Sequence, residues 1–304
     1  MSKTAFIFPG QGSQYIGMGK DFYNTYSEAR EVFKLASEVS GLDMERLCFE
    51  ENDKINITEF TQIAMLTDEV AILKVLESKG IKADIAAGLS LGEYGALAAA
   101  DVMDLRDLFH IIRKRGIFMQ EAYPVGGAMT AVLGLDAEKI NEICEATDGI
   151  VTVANYNCPG QIVITGEEKA VAAAAESLMS AGAKRCVPLK VSGPFHSELL
   201  KGAGEKLGEE LKDIVIRKPS IPYISNVNAT YVSNEAPIKE LLQNQVSNSV
   251  CWQQTIEKMI AEGVDTFIEI GPGKTLSGFM RKINNDVKCI NIDKIEDLNK
   301  LEVL

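Results

Sequence analysis

The stretch ADIAAGLSLGEYGALAAA, residues 83 to 100, contains the pattern that decides the fold. Residues 83 to 87 form a short apolar run, which is typical of a buried strand. The five residues GLSLG then predict a tight turn, and the alanine-rich segment from Glu93 to Ala100 predicts a helix. A buried strand that leads through a tight turn into a helix is characteristic of a parallel α/β sheet.

The same order of elements recurs on both sides of this stretch. Thr4 to Phe8 is another apolar run, closed by Pro9 and Gly10, and it predicts a strand followed by a glycine-rich turn and a helix. Further helices are predicted at 61 to 79, 105 to 123, 198 to 213 and from about 275, and further strands at 221 to 225 and 266 to 270. The outer parts of the chain therefore predict one parallel-sheet α/β domain.

Residues 127 to 192 differ from the rest in the order of their elements. Strands are predicted at 128 to 135, 150 to 155, 161 to 165 and 184 to 191, and helices at 137 to 146 and 167 to 181. This βαββαβ order is that of a ferredoxin-like unit. We therefore predict a discontinuous large domain, residues 1 to 126 and 193 to 304, with an inserted ferredoxin-like subdomain at 127 to 192.

The composition excludes several classes of protein. The chain has 304 residues, of which 46% are hydrophobic and 24% charged, which is a folding composition and not a disordered one. The net charge of -12 opposes binding to a phosphate backbone, so we expect no nucleic-acid partner.

Six scattered cysteines lack a CxxC pair and a nearby histidine, so neither a metal site nor a disulfide framework is indicated. No signal sequence is recognisable, and no uncharged stretch reaches the ~18 residues of a membrane helix. We expect a cytoplasmic monomer without a metal or a membrane anchor.

GLSLG matches the G-x-S-x-G pattern, and its place between a strand and a helix predicts a nucleophile elbow with Ser90 as the nucleophile. A serine hydroxyl needs a base within hydrogen-bond reach. The sequence offers only two histidines, His110 within a predicted helix and His196 on a Gly-Pro loop, where functional residues concentrate. We favour His196, although an ordinary turn or surface histidine is the alternative for either.

Arg115 lies on the apolar stripe of the helix predicted from Leu105, three residues after Ile112 and four before Met119. An inward guanidinium is costly unless an anion meets it, and its fork suits a carboxylate. The residues alone leave two possibilities of equal weight, an internal ion pair and a substrate carboxylate.

Two glycine-rich loops fail as nucleotide sites. The first, GQGSQ at 10 to 14, lacks the third glycine of a dinucleotide fingerprint, and GPGKT at 271 to 275 lacks the first glycine of a P-loop. Both loops follow apolar strands, so we expect both at the carboxyl edge of the sheet beside GLSLG. Backbone N–H groups of the first loop could complete an oxyanion hole with the elbow.

Six motifs together resemble the malonyl-CoA:acyl carrier protein transacylase family of fatty acid synthesis, over nearly the whole chain and in the family's order. They are FPGQGSQ at 8 to 14, GLSLGEY at 88 to 94, RGIFMQEA at 115 to 122, NYNCPGQ at 155 to 161, FHS at 195 to 197 and EIGPGK at 269 to 274. The resemblance implies an α/β-hydrolase-like large domain with a ferredoxin-like small one. It also implies malonyl transfer from coenzyme A to an acyl carrier protein, without a cofactor.

The resemblance assigns roles to particular residues. Ser90 is implied as nucleophile, His196 as base, and Gln11 and Leu91 as backbone oxyanion donors. Arg115 is implied as the partner of the malonyl carboxylate, and the main-chain carbonyl of Gln245 as the group that orients the histidine. The implied substrate contacts also include Gln11, Asn157 and Phe195, the last of which resembles the malonyl-type pattern of related polyketide acyltransferases.

One position departs from the family pattern. The family's elbow usually reads GHSLG, and here Leu89 stands in place of the histidine. This change leaves open how polar the surroundings of the nucleophile are, and it also leaves open the reaction rate and the acyl selectivity.

Carrier proteins of this pathway are acidic, and this chain is acidic too. Docking would therefore need a local basic patch, for which the candidates are Arg113, Lys114, Lys184, Arg185 and Lys190.

Three alternatives stay open. A serine esterase would use the same elbow with water as acceptor, a trans-acting acyltransferase would serve a polyketide synthase, and a non-enzymatic scaffold would bind acyl-CoA or a partner without turnover.

Overall fold

The computed structural model describes residues 2–191 and 193–303. The strands of these residues form two sheets. In chain order the strands are β1 Lys3–Phe8, β2 Ile85–Gly88, β3 Gly127–Leu133, β4 Val151–Cys158, β5 Gln161–Glu167, β6 Arg185–Pro188, β7 Tyr223–Ile224, β8 Tyr231–Val232, β9 Val264–Ile270 and β10 Lys288–Ile292.

The α-helices of the described residues connect and cover these strands. They are α1 Lys20–Thr25, α2 Ser27–Ser40, α3 Met44–Phe49, α4 Thr58–Ser78, α5 Gly92–Ala99, α6 Leu105–Ala122, α7 Ala137–Glu145, α8 Glu168–Ser180, α9 Lys201–Lys212, α10 Ile238–Gln245, α11 Trp252–Ala261 and α12 Thr275–Ile283. Short 3₁₀ segments occur at Lys54–Asn56, Glu198–Leu200 and Ile295–Val303.

The large sheet has the strand order β10-β9-β1-β2-β7-β8. All neighbours in it are parallel except β8, which pairs antiparallel with β7 at the edge. The four apolar runs predicted as strands of one sheet therefore all lie in it. Since parallel strands end at the same edge, the loops after β1, β2 and β9 are brought together.

Both faces of the large sheet are covered. On β1, Phe6 and Phe8 pack into one hydrophobic cluster, and Ala5 and Ile7 pack into another on the opposite side. Successive side chains of a strand point to opposite faces, so a strand buried on both faces must be apolar at every position. This explains why the run at the start of the chain is continuous and not alternating.

The small sheet has the order β4-β5-β3-β6 and is antiparallel throughout. Helices α7 and α8 contribute Ile140, Ala174 and Leu178 to the cluster that packs against it. The small sheet contacts the segment before α11 through an isolated bridge between Asn155 and Val250, where the amide of Tyr156 donates to the Val250 carbonyl at 3.0 Å. This contact places β4 over the carboxyl edge of the large sheet.

Most predicted elements agree with the structure to within a few residues, and three boundaries were wrong. The strand predicted at 150 to 155 continues to Cys158, and the helix predicted from Glu198 opens with a 3₁₀ turn. The strand predicted at 184 to 191 ends at Pro188 because the chain turns just beyond it, where the Val191 amide donates to the Leu189 carbonyl at 3.1 Å. Among the helices of the described residues, none combines the length and apolar character of a membrane span.

Candidate active site

Ser90 lies on the turn between β2 and α5 with φ at 56°, in the left-handed region that a non-glycine residue rarely adopts. The flanking glycines make this turn possible. A Cβ at Gly88 would collide with the backbone of Gly92, and a Cβ at Gly92 would collide with the carbonyl oxygens of Phe8 and Pro9. The turn therefore packs directly on the end of β1, as a nucleophile elbow requires.

Asn226, which follows β7, holds this turn from the neighbouring strand. Its Oδ1 accepts the Ser90 amide at 2.6 Å, and its Nδ2 donates to the Gly88 carbonyl at 2.6 Å. The side chain is fully buried. Sequence reasoning missed Asn226, because nothing in the local pattern shows that residue 226 lies beside residue 90.

His196 reaches Ser90 from the loop that leaves the small sheet. Its Nε2 lies 2.8 Å from Ser90 Oγ, and its Nδ1 lies 2.9 Å from the Gln245 carbonyl oxygen and 3.1 Å from that of Asn248. A carbonyl oxygen only accepts, so Nδ1 carries the ring proton and Nε2 is the bare acceptor. The Ser90 hydroxyl therefore donates to His196.

His196 is buried, with only 4% of its surface exposed, and its φ is 60°. Burial, and secondly the charge of Arg115, lower its pKa to about 4. The ring is therefore neutral at physiological pH, as a base must be before it takes a proton. His110, the other histidine, instead lies 2.9 Å from Glu210 on the surface and takes no part in this group.

Arg115 projects from α6 toward Ser90 and is 1% exposed. Its Nη1 donates to Gln62 Oε1 at 2.7 Å, and its Nη2 donates to Ser90 Oγ at 3.1 Å and to Gln245 Oε1 at 2.9 Å. Burial lowers its pKa. No carboxylate of the described residues pairs with it, so the internal ion pair that the sequence left open is not found there.

Gln245, at the end of α10, connects these groups through both its main chain and its side chain. Its carbonyl accepts from His196, its Oε1 accepts from Arg115, and its Nε2 donates to the Ser90 carbonyl at 2.9 Å and to Glu93 Oε2 at 2.6 Å. The family resemblance supplied only the main-chain contact. Gln62, Glu93 and the side-chain bonds of Gln245 were missed, because they depend on three helices meeting in space.

A cavity of about 160 Å³ opens onto Ser90 and His196. Its apolar walls come from the elbow, from α6 and α12, and from the small sheet and the chain that follows β6, and its polar atoms converge at Ser90. Gln11, Leu91, Asn157 and Phe195 all line it, so the predicted site residues lie together there. Leu89 also lines the cavity and packs against Gly10.

The loop after β1 and the loop after β9 meet beside the elbow, as predicted. Ser13 Oγ lies 3.0 Å from Thr275 Oγ1, and Gln11 Nε2 donates to Thr58 Oγ1 at 3.2 Å. Within the described part of the chain, the backbone amides of Gln11 and Leu91 donate to no other residue. Both are therefore available as donors to a bound oxygen atom.

The five candidate basic residues separate into two groups. Arg113 pairs with Glu59 at 3.0 Å and Lys114 with Glu210 at 3.0 Å. Lys184, Arg185 and Lys190 are exposed along β6 and just beyond both of its ends, and they form no ion pair with any residue that the structure describes. Leu189 and Val191, next to Lys190, line the cavity.

The chain resembles known proteins over almost its whole length. A model of the acyl transferase domain matches residues 5–292. The malonyl CoA-acyl carrier protein transacylase of Bacillus subtilis is 47% identical over 98% of this chain and 96% of the relative. A crystal structure of the enzyme of that name from Clostridium perfringens has a TM-score of 0.96 at 47% identity and covers 99% of this chain and 96% of that one.

A further solved structure contains a type II PKS acyl-carrier protein in complex with its malonyl-transacylase. It has a TM-score of 0.96 at 39% identity, and the match covers 100% of both chains. The chain belongs to the malonyl CoA-acyl carrier protein transacylase family.

Proposed function

We propose that this protein transfers a malonyl group from malonyl-CoA to the phosphopantetheine thiol of an acyl carrier protein, through a malonyl ester on Ser90. One observation carries the proposal. The Ser90 hydroxyl is held between a neutral His196 at 2.8 Å and an Arg115 without a carboxylate partner at 3.1 Å, at the end of a cavity. A nucleophile, a base and a site for a substrate carboxylate are thus within reach of one another.

In the first half-reaction, Ser90 Oγ attacks the thioester carbonyl carbon while its proton passes to Nε2 of His196. The carbonyl oxygen becomes an oxyanion that accepts hydrogen bonds from the amides of Gln11 and Leu91. The C–S bond then breaks, and the proton leaves His196 with the coenzyme A sulfur. General base assistance accounts for roughly 10² to 10⁴ in rate, and each oxyanion donor for roughly 10² to 10³.

In the second half-reaction, the phosphopantetheine thiol gives its proton to His196 and attacks the ester carbon. The same two amides stabilise the oxyanion, and the C–O bond to Ser90 breaks as its oxygen regains the proton. His196 thus acts first as base and then as acid in each half-reaction. Over the whole reaction, Ser90 and His196 neither gain nor lose a proton. The reaction needs no cofactor, since the coenzyme A thioester is itself a substrate.

Arg115 is the proposed partner of the malonyl carboxylate. Its guanidinium hydrogen bonds go to neutral acceptors on Gln62, Gln245 and Ser90, which leaves its charge unmatched by an ion pair. A planar carboxylate suits the guanidinium fork. Asn157 and Phe195 are the proposed further contacts of the acyl group, because both line the cavity.

We also propose a fold type for each part of the chain. We interpret the large domain, 1 to 126 and 193 to 304, as α/β-hydrolase-like and residues 127 to 192 as ferredoxin-like. The βαββαβ order with strands arranged β4-β5-β3-β6 supports the second assignment. A cytoplasmic location is proposed because all six cysteines are unpaired.

We further propose fatty acid elongation as the use of the product, with polyketide synthesis as the second candidate. The second is favoured by one observation, the 39%-identical malonyl-transacylase bound to a type II PKS carrier. The two are separated by comparing kcat/KM for the fatty acid and polyketide carriers of the source organism.

The test of transfer follows radiolabelled malonyl-CoA with and without carrier protein. We expect label to move to the carrier, and little free malonate to form when the carrier is absent. Rapid release of free malonate with no labelled carrier would instead identify an esterase.

A further inference from the structure

Glu93 is a fully buried carboxyl group three residues after the nucleophile, on the first turn of α5. Its Oε2 accepts from Gln245 Nε2 at 2.6 Å and from the Asn226 amide at 3.2 Å. Its Oε1 has no hydrogen-bond partner in the described part of the chain. Glu93 therefore contacts neither Ser90 Oγ nor the His196 ring by a hydrogen bond, and Oε1 is the atom that can carry a proton.

A single amide separates this carboxyl group from the buried guanidinium. The side chain of Gln245 donates to Glu93 through Nε2 and accepts from Arg115 through Oε1 at 2.9 Å. Arg115 has no ion pair with a described residue, and the carboxyl group linked to it through this amide is that of Glu93.

The other titratable groups around Glu93 are few. Tyr94 on the same helix and Tyr223 on β7 are buried phenols whose pKa values are raised mainly by burial. Glu69 on α4 lies against Gly95, on another face of α5, and burial raises its pKa as well. Arg115 is the one positive charge of the described residues among the causes that shift the pKa of Glu93.

The protonation of Glu93 therefore depends on whether the charge of Arg115 is matched. Burial raises the pKa of Glu93 to about 7. The hydrogen bonds from Gln245 and Asn226, the charge of Arg115 and the nearby Ser225 hydroxyl all lower the pKa from what burial alone would give. A substrate carboxylate on Arg115 would cancel that last effect and add a negative charge nearby, and both changes raise the pKa further.

We propose that Glu93 is a positioning residue that balances the charge of Arg115 in the free enzyme and takes up one proton when the substrate carboxylate binds there. The proposal rests on the proposed malonyl transfer. The proton comes from solvent and adds to Oε1 of Glu93. The substrate carboxylate then replaces the negative charge that Glu93 loses, and no other bond changes. Malonyl binding is thereby coupled to pH, whereas binding of an acyl group without a carboxylate is not.

The first test measures proton uptake with a pH indicator in weak buffer at pH 7.5. Intact-mass spectrometry measures the amount of acyl-enzyme, and the result is expressed as protons taken up per acyl-enzyme. We expect roughly 0.5 to 0.8 proton per malonyl group for the wild type, and none per acetyl group when acetyl-CoA is the donor. Coenzyme A release is common to both donors and cancels between them. This comparison needs no substitution and so does not depend on a variant folding.

The matched variants are Glu93→Gln, which keeps an acceptor oxygen for Gln245 and Asn226, and Glu69→Gln, which removes a buried carboxyl outside this network. We expect Glu93→Gln to abolish the malonyl-linked proton uptake and Glu69→Gln to leave it unchanged. Thermal melting of both variants establishes that they fold.

The second test is the pH dependence of KM for malonyl-CoA between pH 7 and 9. Substrate binding requires neutral Glu93, so the wild-type KM should rise by up to about tenfold per pH unit, and the KM of Glu93→Gln should be flat. Complete malonylation of the wild type without proton uptake, or an unchanged pH dependence in Glu93→Gln, would overturn this inference and leave malonyl transfer intact. Failure of the wild type to become malonylated would instead overturn the proposed function.

Discussion

The main-chain carbonyl oxygen of Gln245 lies 2.9 Å from Nδ1 of His196, in the position that an aspartate occupies in a Ser-His-Asp triad. A neutral carbonyl fixes the tautomer as a carboxylate would, but it adds no negative charge to stabilise a protonated ring. Together with burial and the nearby Arg115, this explains why the pKa of His196 is depressed and not raised.

The depressed pKa of His196 predicts an unusual acid limit for the reaction. Because only the neutral ring accepts the Ser90 proton, kcat/KM for coenzyme A release should fall as pH drops through about 4 and change less than about twofold between pH 5 and 7. The measurement is a stopped-flow pH profile of the first half-reaction. A limb near the ordinary histidine pKa of about 6.5 would show that the ring is solvated during catalysis.

Substitution of Arg115 should separate malonyl from acetyl substrates. Arg115→Ala removes a charged, bidentate contact, so we expect kcat/KM for malonyl-CoA to fall roughly 10²-fold or more, and that for acetyl-CoA to change far less. The matched control is Arg113→Ala on the same helix, whose side chain pairs with Glu59 and should leave both substrates nearly unaffected. Equal losses on both substrates in Arg115→Ala would mean that the residue is structural.

Asn226 should contribute to stability as well as to geometry. Asn226→Ala leaves the Ser90 amide and the Gly88 carbonyl without their partners at the base of the strained turn. We expect the free energy of unfolding to drop by about 2–4 kcal/mol, measured by urea denaturation, with slower acylation. A loss below about 0.5 kcal/mol would show that the turn is held by its packing on β1 alone.

The exposed cations of β6 predict where the carrier protein docks. Reversing Arg185 and Lys190 to Glu should raise KM for the carrier roughly tenfold or more and leave malonylation of Ser90 unchanged. The control is Lys82→Glu, an exposed lysine that precedes β2 at the amino edge of the large sheet, and it should alter neither. Wild-type affinity for the carrier should also weaken with added salt, and an affinity that is flat or rises with ionic strength would contradict docking through charge.

Local patterns were sufficient to predict that Ser90 and His196 lie together. GLSLG between a strand and a helix predicts the strained turn because Gly88 allows the close approach of Gly92, and Gly92 allows that of the end of β1. With two histidines in the chain, the Gly-Pro loop favoured His196, which the structure places beside Ser90. Arg115 was visible as a charge on an apolar stripe, but its surroundings were not.

What the sequence could not predict depends on contacts between distant segments. Asn226, Gln62 and Glu93 are ordinary polar residues within their own elements, and they acquire a place in the site only when β7, α4 and α5 pack together. The early end of β6 has the same origin. Residues 184 to 191 were predicted as one strand, whereas the chain turns after Leu189 and leaves β3.

The most direct test of the account is intact-mass spectrometry after incubation with malonyl-CoA, with Ser90→Ala as control. We predict a mass increase of one malonyl group on the wild type, none on Ser90→Ala, and loss of the adduct when carrier protein is added. An adduct of the same mass on Ser90→Ala, or release of coenzyme A from the wild type with no adduct, would contradict a malonyl-serine intermediate.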